Sequence, residues 1–292
     1  EKNAPSIVSI ESQSQSEYGT GTGIIMTEDG YIITNAHVVA GADEVRVALS
    51  DNSVLRASLV GFDADEDLAV LKVEASGLTP AEFGDSAALH IGDPVAAIGD
   101  PLGYRSTITD GIISALDREV EVDGTTMVLI QTSAAINFGN SGGALINQYG
   151  QVVGVTTIKI VADDGSAEGL GFAIPSRTAK TVVDDLIGYG VVKGRPMLGI
   201  TVRPLTAEER TGRSLDHGLW VEQVEEKSDA WTQGIRTGDV LLSANGVELS
   251  VNDDLLELKN ALAVGETIQF CLWREGETLD ITVELVEQYS LE

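Results

Sequence analysis

Positive charge is the scarcest property of this chain. Eighteen Lys and Arg stand against 46 Asp and Glu, a formal net charge of −28 over 292 residues. A nucleic-acid binder needs a basic face to neutralise phosphates, so no nucleic-acid partner is expected. Attraction to an anionic membrane surface is disfavoured on the same ground. Cysteine is nearly absent: Cys271 alone excludes an intrachain disulfide and any multi-cysteine metal site. In the alternating run 268–273 it is expected to be a buried small hydrophobe. No apolar run approaches the ~20 residues that span a bilayer. The opening Glu1-Lys2-Asn3-Ala4-Pro5 lacks the pattern of a secretory leader. Neither a metal nor a cofactor is expected.

What the chain does have is many short strands. In the first half, β-branched and aliphatic runs fall at 6–10, 22–26, 31–34, 45–49, 54–60, 68–73, 95–98, 107–114, 126–131, 151–157 and 170–173. Turn chemistry such as Glu28-Asp29-Gly30 and Gly92-Asp93-Pro94 separates them. Such spacing, with no long helical pattern between, predicts an all-β sandwich or barrel. The polar stretch 11–17 reads as a mobile loop. A helix is predicted over 175–188, with Pro175 near its start, Ala179, Val182, Val183, Leu186 and Ile187 at helical spacing and Gly188 and Gly190 beyond its end. A domain of 1–188, a linker of 189–196 and a second domain of 197–290 fit the lengths. The second domain reads as five or so strands with a helix at 252–263, a small α+β module.

The chemistry centres on Asn137-Phe138-Gly139-Asn140-Ser141-Gly142-Gly143. A serine hydroxyl becomes a nucleophile only with a base to take its proton and donors to hold the oxyanion. The glycines let the backbone turn sharply and aim amide groups at one point. Three histidines are available. His37 ends an apolar strand; His90 and His217 have no partner signal beside them. Among the acids 63–67, Asp67 abuts the strand 68–71 and can be fixed by it. Two orders are open. Ser141, an Asp and His217 would be the α/β-hydrolase order, which needs helices between parallel strands. His37, Asp67, Ser141 is the order of chymotrypsin-like double β-barrels, and the strand-rich first half agrees with it.

Thr34-Asn35-Ala36-His37-Val38-Val39, Asp67-Leu68-Ala69-Val70-Leu71-Lys72 and Ala134–Leu145 together resemble the three catalytic blocks of the HtrA/Deg serine proteases. Gly169–Pro175 resembles the block closing that family's protease domain. The resemblance implies His37 as general base, Asp67 as orienting carboxylate and Ser141 as nucleophile, with an oxyanion hole at Gly139, Asn140 and Ser141. It implies a substrate pocket walled by Ile136, Thr157, Ile158, Lys159 and Ile160, selecting small or medium aliphatic residues. Ser133 stands where the family commonly has an acid. Met197, Leu198, Gly199 and Ile200 resemble the carboxylate-binding loop of a PDZ domain, implying capture of C-terminal peptides by strand addition. Ser228-Asp229-Ala230 replaces the family's Ser-Pro-Ala, and a looser turn is expected there. The resemblance further implies an ATP-independent endopeptidase acting on unfolded protein outside the cytoplasm. It implies a homotrimer joined through 2–18 and a signal or membrane anchor further N-terminal. A chaperone or adaptor with a resting triad is the alternative reading.

Overall fold

The computed structural model describes residues 2–14, 18–100, 107–122, 125–137, 139–157 and 170–287. The chain divides into two compact units, Glu1–Val191 and Val192–Glu292.

The first unit holds two closed six-stranded barrels. One is formed by β1 (Ile7–Gln13), β2 (Tyr18–Ile25), β3 (Tyr31–Thr34), β4 (Glu44–Ala48), β5 (Val54–Asp63) and β6 (Leu68–Val73), in the order β1-β2-β3-β6-β5-β4. The other is formed by β7 (Pro94–Gly99), β8 (Thr107–Val122), β9 (Thr125–Thr132), β10 (Ala144–Asn147), β11 (Val152–Thr157) and β12 (Gly171–Pro175), in the order β10-β11-β12-β9-β8-β7. Inward residues alternate with outward ones: Ile10, Ile25, Val47 and Leu71 fill the first core, and Val95, Ile113, Leu145 and Val153 the second. Barrel alternation also explains why residues 11–13 are strand and not loop. Ser12 is buried while Glu11 and Gln13 point outward, so a polar string still has one face for the core. Strand β8 likewise runs eight residues past the predicted 114. It absorbs register shifts between Ile113 and Arg118, with Asp117 at φ 51, a bulge that bends the strand.

The first unit ends in α2 (Ser176–Tyr189), capped by Gly190 at φ 79, whose N–H returns to the Leu186 carbonyl. Its face of Ala179, Val182, Val183 and Leu186 is buried against β5, β6 and β11. The short α1 (Ala36–Val39) follows β3 directly.

The second unit is a sheet in the order β14 (Ile200–Pro204), β15 (Leu219–Val224), β16 (Val240–Ala244), β18 (Thr267–Arg274), β19 (Glu277–Glu284), with β17 (Val247–Glu248) beside β16. A small pair, β13 (Pro196–Met197) and β20 (Val286–Glu287), stands apart. Phe270, Leu219, Leu241 and Ile268 anchor its core. Three helices accompany it, α3 (Ala207–Arg213), α4 (Asp229–Gln233) and α5 (Asn252–Asn260). The predicted loose turn at Ser228 is instead the tight start of α4. The Ser228 hydroxyl accepts the Trp231 N–H at 3.1 Å and donates to the Glu225 carbonyl at 2.6 Å, a side-chain cap that needs no proline. Cys271 is also not buried. It lies on the outer face of β18 opposite Asp280, where desolvation and that carboxylate raise its thiol pKa. Among the described residues, no helix is long and apolar enough to cross a membrane.

Candidate active site

Strand β3 ends at Thr34, and the chain turns at Asn35 into α1, which carries His37. Strand β6, its neighbour in the barrel, begins one residue after Asp67. Pairing of β3 with β6 therefore brings His37 and Asp67 together across 30 residues of sequence. The Asp67 carboxylate is buried, with 0% of its surface exposed, and takes three donors. His37 Nδ1 lies 2.8 and 2.9 Å from its two oxygens, the His37 backbone N–H donates at 3.1 Å, and the Thr157 hydroxyl donates at 3.0 Å. An ionised carboxylate only accepts, so the imidazole carries its proton on Nδ1 and turns a basic Nε2 outward. Asp67 itself sits at φ 51, a left-handed conformation that Asp tolerates at modest cost. Its carbonyl is held at 2.9 Å by the buried Asn35 side chain.

Ser141 lies in the loop between β9 and β10. It lines, with His37 and Gly139, one cleft of about 430 Å³ that continues past Val38, Gly41 and Tyr18. The loop's sharp turns use Gly139 at φ 95 and Gly142 at φ 80. A side chain at Gly142 would collide with the Thr22 carbonyl and Thr34 hydroxyl, so the first barrel's backbone packs directly beneath the serine. Among the described residues, no acceptor engages the Gly139 or Ser141 amide. The Asn140 amide, by contrast, is used by the Asn137 carbonyl at 3.0 Å. Of the three residues read as an oxyanion hole, Gly139 and Ser141 keep open donors and Asn140 serves the loop.

The Thr157 hydroxyl donates to Asp67 and the residue is 2% exposed, so its side chain supports the carboxylate. Ile136 is half-buried over the second barrel's core; a side chain at Gly171 would meet it at 2.7 Å. Ile158, Lys159 and Ile160 lie outside the described residues, as do Phe138 and Gly169. At Ser133, the hydroxyl accepts the Ile112 N–H at 3.0 Å, a neutral tie in place of a charge. His90 is an exposed turn residue, and the ring Nε2 of His217 lies 3.1 Å from the Leu242 carbonyl. The supporting bonds of Asn35, Thr22 and Thr157 were not foreseen from the sequence. The only local sign was polar residues ending otherwise apolar strands.

In the second unit, Gly199 adopts φ 68 between β13 and β14, and its carbonyl accepts the Glu225 N–H at 2.8 Å. Leu198 is buried in the core, and Ile200 opens β14 opposite Val224. Met197 does not stand in the loop: it pairs with Val286 in the β13–β20 ribbon. Among the described residues strand β14 pairs on one side only, with β15, and α5 packs near it.

Two closed barrels with a histidine–aspartate pair facing a serine loop define a trypsin-like peptidase fold, here followed by a PDZ module. A trypsin-like peptidase domain profile matches residues 21–155, and a PDZ domain profile residues 196–285. A probable periplasmic serine endoprotease, DegP-like, of Chlamydia trachomatis is 43% identical over 272 residues, 91% of this chain and 54% of that protein. The Do-like serine protease HtrA of Lactobacillus helveticus is 39% identical over 284 residues, 92% and 68% respectively. An HtrA-type protease AlgW structure with a tripeptide is 36% identical with a TM-score of 0.68, covering 98% of this chain and 95% of that one. A serine endoprotease from Yersinia pestis is 34% identical with a TM-score of 0.67. The chain belongs to the HtrA/Deg family of serine proteases. It spans 54% and 68% of the length of these two relatives.

Proposed function

We propose that this chain is an ATP-independent serine endopeptidase that cleaves unfolded polypeptides, with a PDZ module that binds peptide C-termini. The buried Asp67 carboxylate held against His37 Nδ1, with Ser141 across the same cleft, is the observation that carries the reading. His37 Nε2 takes the proton from the Ser141 hydroxyl as its oxygen attacks the scissile carbonyl. The imidazolium formed is stabilised by Asp67, and the Gly139 and Ser141 amides receive the oxyanion. His37 then returns the proton to the leaving amine, and water repeats the cycle on the acyl-serine. Asn140 orients the loop. Ile136 walls the primary pocket and favours aliphatic residues, with 158–160 completing it. In the second unit a peptide adds to the open edge of β14 and its carboxylate meets the amides of Leu198, Gly199 and Ile200.

Degradation of β-casein by the chain and by Ser141→Ala tests the chemistry. Loss of cleavage in the variant is expected, and equal activity of both would overturn the assignment. Apolar C-terminal peptides are expected to bind the PDZ module and raise the cleavage rate; a flat rate despite binding would remove the regulatory half of the proposal alone. The chain works as a homotrimer outside the cytoplasm, a reading supported by the periplasmic relatives' names for location and by family resemblance for assembly. A one-chain mass at micromolar concentration in sedimentation would refute the assembly.

A further inference from the structure

We infer that Thr22 and Thr156, one from each barrel, are positioning residues that fix the two peptide planes flanking Asn140 and so aim the Ser141 amide at the oxyanion. The inference rests on the protease reading above. In a trans peptide the C=O and N–H point to opposite sides, so anchoring the oxygen aims the hydrogen. The Asn140 carbonyl is taken by the Thr156 hydroxyl at 2.6 Å and the Gly143 N–H at 2.9 Å. The Ser141 N–H of that plane must therefore face away, to the side where no described residue accepts it.

The preceding plane is set from the other barrel. The Thr22 hydroxyl donates to the Gly139 carbonyl at 2.6 Å, and the Asn140 N–H on the far side reaches the Asn137 carbonyl at 3.0 Å. Thr22 also holds the Ser141 carbonyl with its own N–H at 2.8 Å. Its hydroxyl has a further partner: the Asp100 N–H donates to it at 2.8 Å. One oxygen thus ties the serine loop to the end of β7, and any shift at Asp100 is felt at Gly139. Both threonines are 0% exposed. Neither touches substrate in this scheme; both act through the loop backbone.

Valine keeps the branched shape and removes only the hydroxyl, which makes Thr22→Val and Thr156→Val the test, with the serine replacements as controls. On a fluorogenic peptide, each valine variant is expected to lower kcat by roughly 10- to 100-fold with KM changed less than about twofold, because the donors act on the transition state. Serine variants are expected to regain kcat to within about threefold of the parent, since the hydroxyl that makes the bond is restored. Valine variants with undiminished kcat, or serine variants as slow as valine, would overturn the inference. Deuterium uptake of the segment 136–144 gives a readout independent of turnover. It is expected to quicken at least about tenfold in the valine variants and not in the serine ones, as local opening becomes easier. If the parent chain cleaves nothing, the protease reading falls, yet unchanged uptake in the valine variants would still refute the clamp.

Discussion

Replacing Asp67 by Asn isolates the charge of the buried carboxylate from its shape. Asn accepts the φ of 51 found here as readily as Asp does, so the backbone is expected to hold. The hydrogen bonds are also largely recoverable. The amide oxygen can accept from His37, and the Thr157 hydroxyl, now 3.0 Å from the carboxylate, can rotate to accept from the new NH₂ group. What cannot be recovered is the counter-charge to the imidazolium. With Nδ1 and the carboxylate oxygen 2.8 Å apart, a full charge pair at an effective dielectric of ~20 attracts by about 6 kcal/mol. Losing it is worth roughly 10⁴ in kcat, and an Asn that presents its NH₂ to Nδ1 would also impose the wrong tautomer. Folded stability is expected to change by no more than about 2 kcal/mol, since a costly buried charge goes with its bonds. The assay is kcat on a fluorogenic peptide alongside a circular-dichroism melt. A variant that keeps a tenth of the parent's kcat would refute the counter-charge reasoning. One that fails to fold would show that Asp67 is needed first as a scaffold.

Three other outcomes are expected. All three tryptophans, Trp220, Trp231 and Trp273, belong to the second unit, so tryptophan fluorescence reports its unfolding alone. Asp239→Ala, which strips Arg274 of two bonds at 2.6 and 2.7 Å from a carboxylate 2% exposed, is expected to cost that unit about 2–4 kcal/mol in a urea titration. Asp254 accepts the Val251 and Ser250 amides at the start of α5, in that order of effect, which holds its pKa below the usual carboxylate value. Its contribution is therefore complete above pH ~4, the unfolded value, and lost as pH falls through the lower folded value. The melting-temperature gap between the parent and Asp254→Asn, read by the same fluorescence, is expected to be open at neutral pH and to close in acid. Gly171→Ala would set a methyl 2.7 Å from the Ile136 side chain and from the Ala134 carbonyl. It is expected to raise KM for aliphatic-site peptides several-fold through a displaced pocket wall, with kcat less affected.

The barrels were legible because their strands are short, β-branched and separated by turn residues, and the proposed triad was readable as three local blocks next to β3, β6 and β10. What the sequence hid falls into two kinds. The helices α3 and α4 are too short to show periodicity, although Thr206 and Glu209, which form a reciprocal cap, stand in the readable pattern of a capping box. The supporting bonds of the site are of another kind. Thr22 meets Gly139 across 117 residues and Thr157 meets Asp67 across 90. A threonine in a strand looks the same whether its hydroxyl faces water or a buried carboxylate, and only the closed topology decides. The Thr157 bond to Asp67 could not be foreseen for that reason. The extension of β1 through Glu11 and Gln13 shows the same ambiguity in milder form: polarity marks an outer face as well as it marks a loop.

The two edges of the second unit's sheet are guarded unequally. Strand β19 carries Glu277, Asp280 and Glu284, is packed by α4, and lends the Glu284 amide to Asp229 at 2.7 Å. Charge and cover together make it a poor template for an incoming strand. The barrels, being closed, offer no lateral edge at all. Strand β14, with Ile200 and Val202 on the core side and Pro204 at its end, pairs among the described residues with β15 alone. Hydrogen-bonding backbone is thus left available along this five-residue edge. The sheet therefore has a direction of growth: an added strand can extend it at β14 and is opposed at β19.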